Sequence, residues 1–174
     1  MKAQLTFLRR SQAYRIDLAV IGMFAGVILD TLTTWAMVSH HRGFEQNPIL
    51  VPLIRHSVIW IPIYFLCRPL LVPLLPELCR SAFSVYFGFD GLSGGVNNLA
   101  GILYGRYLLV ETFGYPALQV ASVLVATTVF IWGLWRHASN ARERKHHVIT
   151  GLCWIGIFLL FELAFFAVGR LALS

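Results

Sequence analysis

The side chains of this chain that could do chemistry are few, and they interrupt long apolar stretches. They carry carboxylate, guanidinium, amide or hydroxyl groups, and they are Asp30, Thr33, Thr34, Arg68, Asn97, Asn98 and Glu162. Ionisable groups are costly in an apolar environment, so they normally face a polar partner or a water-filled cavity. We expect Asp30 and Glu162 to pair with Arg68, and the asparagine amides to complete the hydrogen bonds. Such a cluster is either a structural network that fixes helix packing or a site, open to the outside, for a proton, a cation or a polar headgroup.

Small residues accompany these polar groups at helical spacing. Gly22 and Gly26 share one helical face with Asp30, Thr33 and Thr34, because a helix repeats every 3.6 residues. A second stripe on one helical face consists of Asp90, Gly94, Asn98, Gly101 and Gly105. Glycines at such spacing allow two helices to approach closely. We therefore expect both stripes to be helix-packing faces.

The segment that follows the first apolar stretch contains three weak candidates for metal ligands, namely His40, His41 and Glu45. Adjacent histidines point away from each other on a helix, and the H-E-x-x-H spacing of zinc proteases is absent. We therefore expect interfacial histidines and no metal or other cofactor. The three cysteines are an odd number without a C-x-x-C pair, which indicates free thiols.

Composition describes a chain whose surroundings are mostly lipid. The 174 residues are 57% hydrophobic and 13% charged, and the mean hydropathy is +0.70, unlike a soluble domain. A formal net charge of +6 would suggest nucleic acid as a partner of a soluble protein. Here the basic residues flank apolar stretches, where they orient helices in a membrane. We expect the lipid bilayer as the partner and no nucleic acid.

Apolar segments of suitable length predict an all-α, polytopic transmembrane helical bundle in which residues 1–174 form a single domain. Pro62, Pro69 and Pro73 predict a kink in its second span. The third span is rich in polar residues and glycine, so the alternative is four spans plus a re-entrant segment at 82–104. The favoured topology has five spans, at about 16–38, 57–75, 82–104, 117–135 and 148–168.

The distribution of lysine and arginine favours five spans with a cytoplasmic N-terminus. In that topology the outer side receives Arg42, Arg55, Arg106 and Arg170. The inner side receives Lys2, Arg9, Arg10, Arg15, Arg80, Arg136, Arg142, Arg144 and Lys145. Four spans would instead place the basic run at 136–147 on the side opposite the N-terminus and divide the basic residues.

Two short runs resemble the signature of an uncharacterised family of small prokaryotic integral membrane proteins: Asp30-Thr31-Leu32-Thr33-Thr34 and Glu45-Gln46-Asn47-Pro48. The family pattern is a D-x-x-T-T helix, a short loop and E-x-N-P, and its second helix commonly carries a lysine, for which Arg68 is the expected counterpart. The similarity covers about residues 22–75. It implies that Glu45, Asn47 and Pro48 belong to the site and that the chain resides in a prokaryotic cell membrane. The family has no settled function to carry over.

The sequence lacks a nucleophile elbow, a phosphate-binding glycine loop and a cysteine–histidine arrangement. The leading hypothesis is therefore a small integral membrane accessory or assembly protein without catalysis of its own. Its partners would be other membrane subunits or further copies of the chain. The second hypothesis is a proton- or cation-coupled transport path, or a lipid-headgroup site, lined by Asp30, Arg68, Asn98 and Glu162. A membrane-embedded metal hydrolase that uses the two histidines and Glu45 ranks third.

Overall fold

All regular secondary structure in the described part of the chain is helical. The computed structural model describes residues 2–40, 49–138 and 140–171, with side chains from residue 18 onward except at 115, 137 and 170. A short 3-10 helix at Val72–Leu74 precedes the fourth α-helix. The α-helices are α1 (Lys2–Ser39), α2 (Leu50–His56), α3 (Trp60–Leu70), α4 (Glu77–Tyr104), α5 (Leu108–Phe113), α6 (Tyr115–His137) and α7 (Ala141–Leu171). The all-α prediction is confirmed for these ranges.

Three helical stretches are long and apolar enough to cross a membrane: Leu18–Ser39 in α1, Pro116–Arg136 in α6 and Ala141–Gly169 in α7. They correspond to the first, fourth and fifth predicted spans. The stretches in α6 and α7 are mostly exposed, whereas a larger share of the one in α1 is buried. In lipid, the exposure of apolar side chains carries no free-energy penalty, so the hydrophobic effect does not drive helices together. Contacts between helices then depend on close packing and hydrogen bonds.

The second predicted span differs from the structure in length and continuity. The structure places α3 within 57–75, and its 11 residues extend about 16 Å, against roughly 30 Å for the apolar core of a bilayer. Ser57 has an extended backbone, with φ −163° and ψ 137°, and separates α2 from α3. At the other end Pro73, which lacks a backbone N–H, lies in the 3-10 helix. The prediction of one kinked helix over this range is therefore wrong.

The helix α4 is continuous over 28 residues, about 42 Å at 1.5 Å per residue. It ends where Gly105 adopts a left-handed conformation, with φ 69°, and the Gly105 N–H donates to the carbonyl of Gly101 at 3.0 Å. A broken or re-entrant segment at 82–104 requires an interruption of the helix. The backbone of α4 contains none.

Contacts along the helices define their relative directions. Asp90 of α4 bonds to Gln119 near the start of α6, and Leu78 near the start of α4 lies beside Gly133 near the end of α6. These two helices are therefore antiparallel. The helices α1 and α4 run parallel, because successive residues of one meet successive residues of the other: Met23 with Gly88, Val27 with Gly91, and Asp30 with Gly94.

The main apolar core lies between α1, the end of α3 and the first half of α4. Its buried members include Met23, Val27, Val72 and Phe87. The helix α7 closes one side of this core, since the ring of Phe158 stacks on that of Phe83 with centroids 4.7 Å apart. This core fixes α1 against α4 and so positions the polar residues of both.

Candidate functional site

Asp30 lies at the close contact between α1 and α4. A Cβ atom added to Gly94 would lie 2.8 Å from the Asp30 carboxylate, so only glycine leaves room for this side chain. One turn earlier, a Cβ at Gly26 would lie 2.6 Å from the carbonyl oxygen of Gly88. The carboxylate is buried, with 7% of Asp30 exposed. The two helices thus enclose a carboxylate at a contact formed by glycine.

Asn98 and Thr34 hold this carboxylate, and the three residues together are called the Asp30 cluster below. The Asn98 side-chain amide donates to Asp30 Oδ1 at 3.1 Å and to Thr34 Oγ1 at 2.8 Å. The Thr34 hydroxyl donates to Asp30 Oδ1 at 3.3 Å. Thr31 and Thr33 are also buried, but their hydroxyls donate to the carbonyls of Val27 and Leu29 in the same helix.

A second polar group joins α3 to α7. The Nε atom of Arg68 forms an ion pair with Glu162 Oε1 at 2.6 Å, and the Tyr64 hydroxyl donates to Glu162 Oε2 at 2.8 Å. The guanidinium also lies over two aromatic rings, 4.9 Å from the centroid of Tyr64 and 5.4 Å from that of Phe87. The Arg68 and Glu162 side chains are 13% and 21% exposed. We call Arg68, Glu162 and Tyr64 the Arg68 cluster.

The structure brings together only part of the predicted cluster. It pairs Arg68 with Glu162, as expected. It does not pair Arg68 with Asp30: among the described residues the ion-pair partner of Arg68 is Glu162, and Asp30 is held by Asn98 and Thr34. The reason is the rotation of the helices, since the Asp30 face of α1 meets the glycine face of α4, whereas Arg68 points toward α7.

Asn97 has a different role from that predicted for it. Its Oδ1 atom accepts hydrogen bonds from the backbone N–H groups of Leu109 and Val110, both at 3.2 Å. Asn97 thereby binds the first turn of α5. Adjacent residues on a helix differ by about 100° in direction, so Asn97 and Asn98 face different neighbours. The prediction that both amides serve one cluster is wrong.

The loop that follows α4 carries a charged pair outside the long apolar helices. The Arg106 guanidinium donates to Glu111 Oε2 at 3.0 and 2.7 Å, and the Tyr107 N–H donates to Glu111 Oε1 at 2.9 Å. The hydrogen bond from Arg106, followed by that from the Tyr107 backbone, holds the pKa of the Glu111 carboxyl below its usual value.

The predicted packing glycines fall into two groups. Gly26 and Gly94 lie at the α1–α4 contact, whereas Gly22 is exposed and a Cβ added there would meet nothing within 4 Å. A Cβ atom added to Gly101 would contact the ring of Tyr107, and one added to Gly105 would have no neighbour within 4 Å. Sequence reasoning missed the other glycines of the contact, although their three- and four-residue spacing is the signal: Gly88, Gly91 and Gly95.

Sequence reasoning also missed the polar contact between α4 and α6. The Gln119 side-chain amide donates to Asp90 Oδ1 at 2.7 Å. A glutamine near the start of an otherwise apolar span was the available signal, because such a side chain needs a partner within the bundle.

The metal and loop predictions fall largely outside the described residues. His41, Glu45, Asn47 and Pro48 are not among them, and His40 is exposed at the end of α1. Within the described ranges, no group of three or more His, Cys, Asp or Glu side chains is arranged to hold a metal ion.

Comparison with known proteins gives this chain no relative. No family model, no curated protein and no solved structure matches it. The resemblance carried by the Asp30–Thr34 and Glu45–Pro48 runs therefore stays a prediction. Chemically, the described polar groups form hydrogen bonds and ion pairs between helices, which is the basis for the proposals that follow.

Proposed function

We propose that this chain is an integral membrane protein with five crossings and a cytoplasmic N-terminus, the second crossing being the short apolar helical stretch Trp60–Leu74. The parallel arrangement of α1 and α4 and the antiparallel arrangement of α4 and α6 support it, since these are the directions that the first, third and fourth crossings would have. The length of α4 supports a third crossing. Its low hydropathy is compatible with a crossing because its glycines and polar residues are covered by α1 and α6 rather than by lipid.

Within the membrane, we propose that the chain serves as an accessory or assembly subunit without catalysis of its own. One observation carries this proposal: three pairs of polar side chains join neighbouring helices. The pairs are Asp30 with Asn98, Arg68 with Glu162, and Asp90 with Gln119. Polar groups used in this way stabilise a helical arrangement rather than act on a substrate.

The surface available to partner subunits is the outer face of α6 and α7. Both helices expose large apolar side chains along their length, among them Leu124, Trp132, Leu152, Leu160 and Leu163. Such a face can contact either lipid or another transmembrane helix. The mass of the species extracted from native membranes distinguishes these two cases.

Extraction of the tagged chain from native membranes with a mild detergent, followed by native mass spectrometry, tests the assembly proposal. We expect a species larger than the 19.6 kDa monomer, either a homo-oligomer or a complex with another membrane protein. A preparation that contains only monomer, at concentrations where control membrane complexes survive, would contradict the proposal.

Two matched variants locate the partner surface. Gly156 lies on α7 and Gly22 on α1, and a Cβ added to either would meet nothing within 4 Å. We therefore expect Gly156→Leu and Gly22→Leu to leave the fold of the monomer intact, which circular dichroism of each variant checks. If α7 forms the interface, we expect only Gly156→Leu to release the larger species.

A proton- or cation-coupled path is the second candidate function. It is favoured by the convergence of charged groups from three helices, since the Arg68 guanidinium pairs with Glu162 of α7 and lies over the ring of Phe87, three residues before Asp90 on α4. Of the predicted lining, Asp30 and Asn98 belong to a separate cluster. Proton flux into liposomes that contain the purified chain, with Glu162→Gln as the inactive control, tests this candidate.

A further inference from the structure

The charges close to Arg68 do not balance. The guanidinium forms its ion pair with Glu162 on α7, and it lies 5.4 Å from the centroid of the Phe87 ring, three residues before Asp90 on α4. With both carboxyl groups ionised, one positive and two negative groups leave one net negative charge inside the helical bundle. An uncompensated charge at such a position is costly, and a protein removes it by taking up a proton or a cation.

The hydrogen bonds distinguish the two carboxyl groups. Glu162 receives the Arg68 ion pair on one oxygen and the Tyr64 hydroxyl on the other, so both of its oxygens have a partner. Asp90 receives a neutral amide donor, Gln119, on Oδ1. Among the described residues, none donates a hydrogen bond to Asp90 Oδ2. That oxygen is the position at which a proton can be added without the loss of an existing contact.

Among the side chains that the structure describes, the neighbouring helices offer Asp90 no second positive charge. From α3 the charged group is Arg68, from α7 it is Glu162, and α4 itself contributes the Tyr86 hydroxyl. The facing residue of α6 is the neutral Gln119. On α1, the carboxylate of Asp30 lies one turn further along, beside Gly94.

We infer that Asp90 is a proton-binding site of this protein. The carboxylate takes a proton from water at Oδ2 and becomes a neutral carboxylic acid, and the three groups Arg68, Glu162 and Asp90 then carry no net charge. This inference rests on the second candidate function and on the membrane setting of α4. It deepens that candidate by naming the ion and the group that binds it, and it does not depend on assembly with partners.

Infrared spectroscopy of the purified full-length chain in lipid bilayers tests the site, because the carbonyl stretch of a carboxylic acid is separate from the bands of a carboxylate. At about pH 7, where exposed Asp and Glu side chains are ionised, we expect a carboxylic acid band from the parent protein. Asp90→Asn should abolish the band. Glu162→Gln should abolish it too, although Asp90 is still present, since Arg68 is then balanced by an ionised Asp90.

Asp30→Asn is the matched control and the common background of these comparisons, because it removes the buried carboxyl group of the other cluster, whose own band would overlap, and should leave the Asp90 band in place. The site is overturned if the parent lacks the band, if the band survives Asp90→Asn, or if Asp30→Asn removes it. Loss of the band when sodium or potassium is added at constant pH would overturn it in favour of a cation site. A band without proton flux in liposomes would reject the transport function and leave the proton site standing. Proton flux without a carboxylic acid band would reject Asp90 as the proton-binding site and leave the transport function standing.

Discussion

The Asn98 amide donates a 3.1 Å hydrogen bond to the Asp30 carboxylate across 68 positions of sequence. The bond joins α1 to α4 at the level where Gly94 makes room for the carboxylate. Since apolar side chains gain little by leaving lipid for a helix interface, a bond of this kind and the close glycine contact around it add to the packing of the apolar core in holding the two parallel helices together.

Truncation of Asn98 should therefore loosen the pair of helices. We expect Asn98→Ala to lower the free energy of unfolding by about 1–3 kcal/mol, because it leaves a buried carboxylate without one of its donors. Unfolding of the purified chain in mixed micelles measures the change. The control is Asn97→Ala, which removes only the contact with α5 and should mainly increase hydrogen exchange at Leu109 and Val110. Equal losses for the two variants would contradict the distinction between the asparagines.

The glycines of α1 provide a matched pair. Alanine favours a helix over glycine by about 1 kcal/mol, so Gly22→Ala, at a position open to its surroundings, should be neutral or slightly stabilising. Gly26→Ala should destabilise, because its Cβ would lie 2.6 Å from a backbone oxygen of α4 and the helices would have to separate. The thermal midpoints of the two variants in detergent give the comparison. Similar midpoints would mean that α1 and α4 are not in close contact.

The Glu111 carboxyl should titrate below its usual range. Because the hydrogen bonds from Arg106 and Tyr107 lower the folded pKa, the contact is fully present above the unfolded pKa and is lost as the pH falls through the folded value. An NMR titration of the side-chain carboxyl carbon measures this, and Arg106→Gln should raise the pKa toward the ordinary value. An unchanged pKa in Arg106→Gln would show that the pair does not form in solution.

Topology can be tested with single cysteines at exposed positions. In a background without Cys67, Cys79 and Cys153, His40→Cys and Asn140→Cys should react with a membrane-impermeant reagent from opposite sides of the membrane. The reason is that positions 40 and 140 follow the first and fourth proposed crossings. Labelling of both from the same side would refute the five-crossing arrangement.

Helical periodicity was sufficient to predict the face of α1 that carries Asp30. Gly26, Asp30 and Thr34 follow one another at four-residue intervals, and in the structure they line the contact with α4. The partner on the other helix, Asn98, was within the predicted set for the same reason. Spacing along one helix is a local property, so a single sequence contains it.

The partner of Arg68 was only half predictable, because pairing between helices depends on how each helix is rotated about its axis. The sequence places Asp30, Arg68 and Glu162 in three different predicted spans, yet this does not determine in which direction each side chain points. The short length of α3 has the same kind of cause. Prolines mark where a helix can be interrupted, but neighbouring helices decide whether it continues.

Two separate clusters fasten the helices, and a double-mutant cycle distinguishes them. Removal of one member of a buried ion pair costs about 3–5 kcal/mol, so Arg68→Met and Glu162→Gln should each reduce stability. Combined, they should show a coupling free energy of about 1–3 kcal/mol, whereas Arg68→Met and Asp30→Asn should be additive within about 0.5 kcal/mol. Unfolding free energies of the single and double variants in the same micelles give both couplings. Strong coupling of Arg68 to Asp30, with none to Glu162, would contradict the claim.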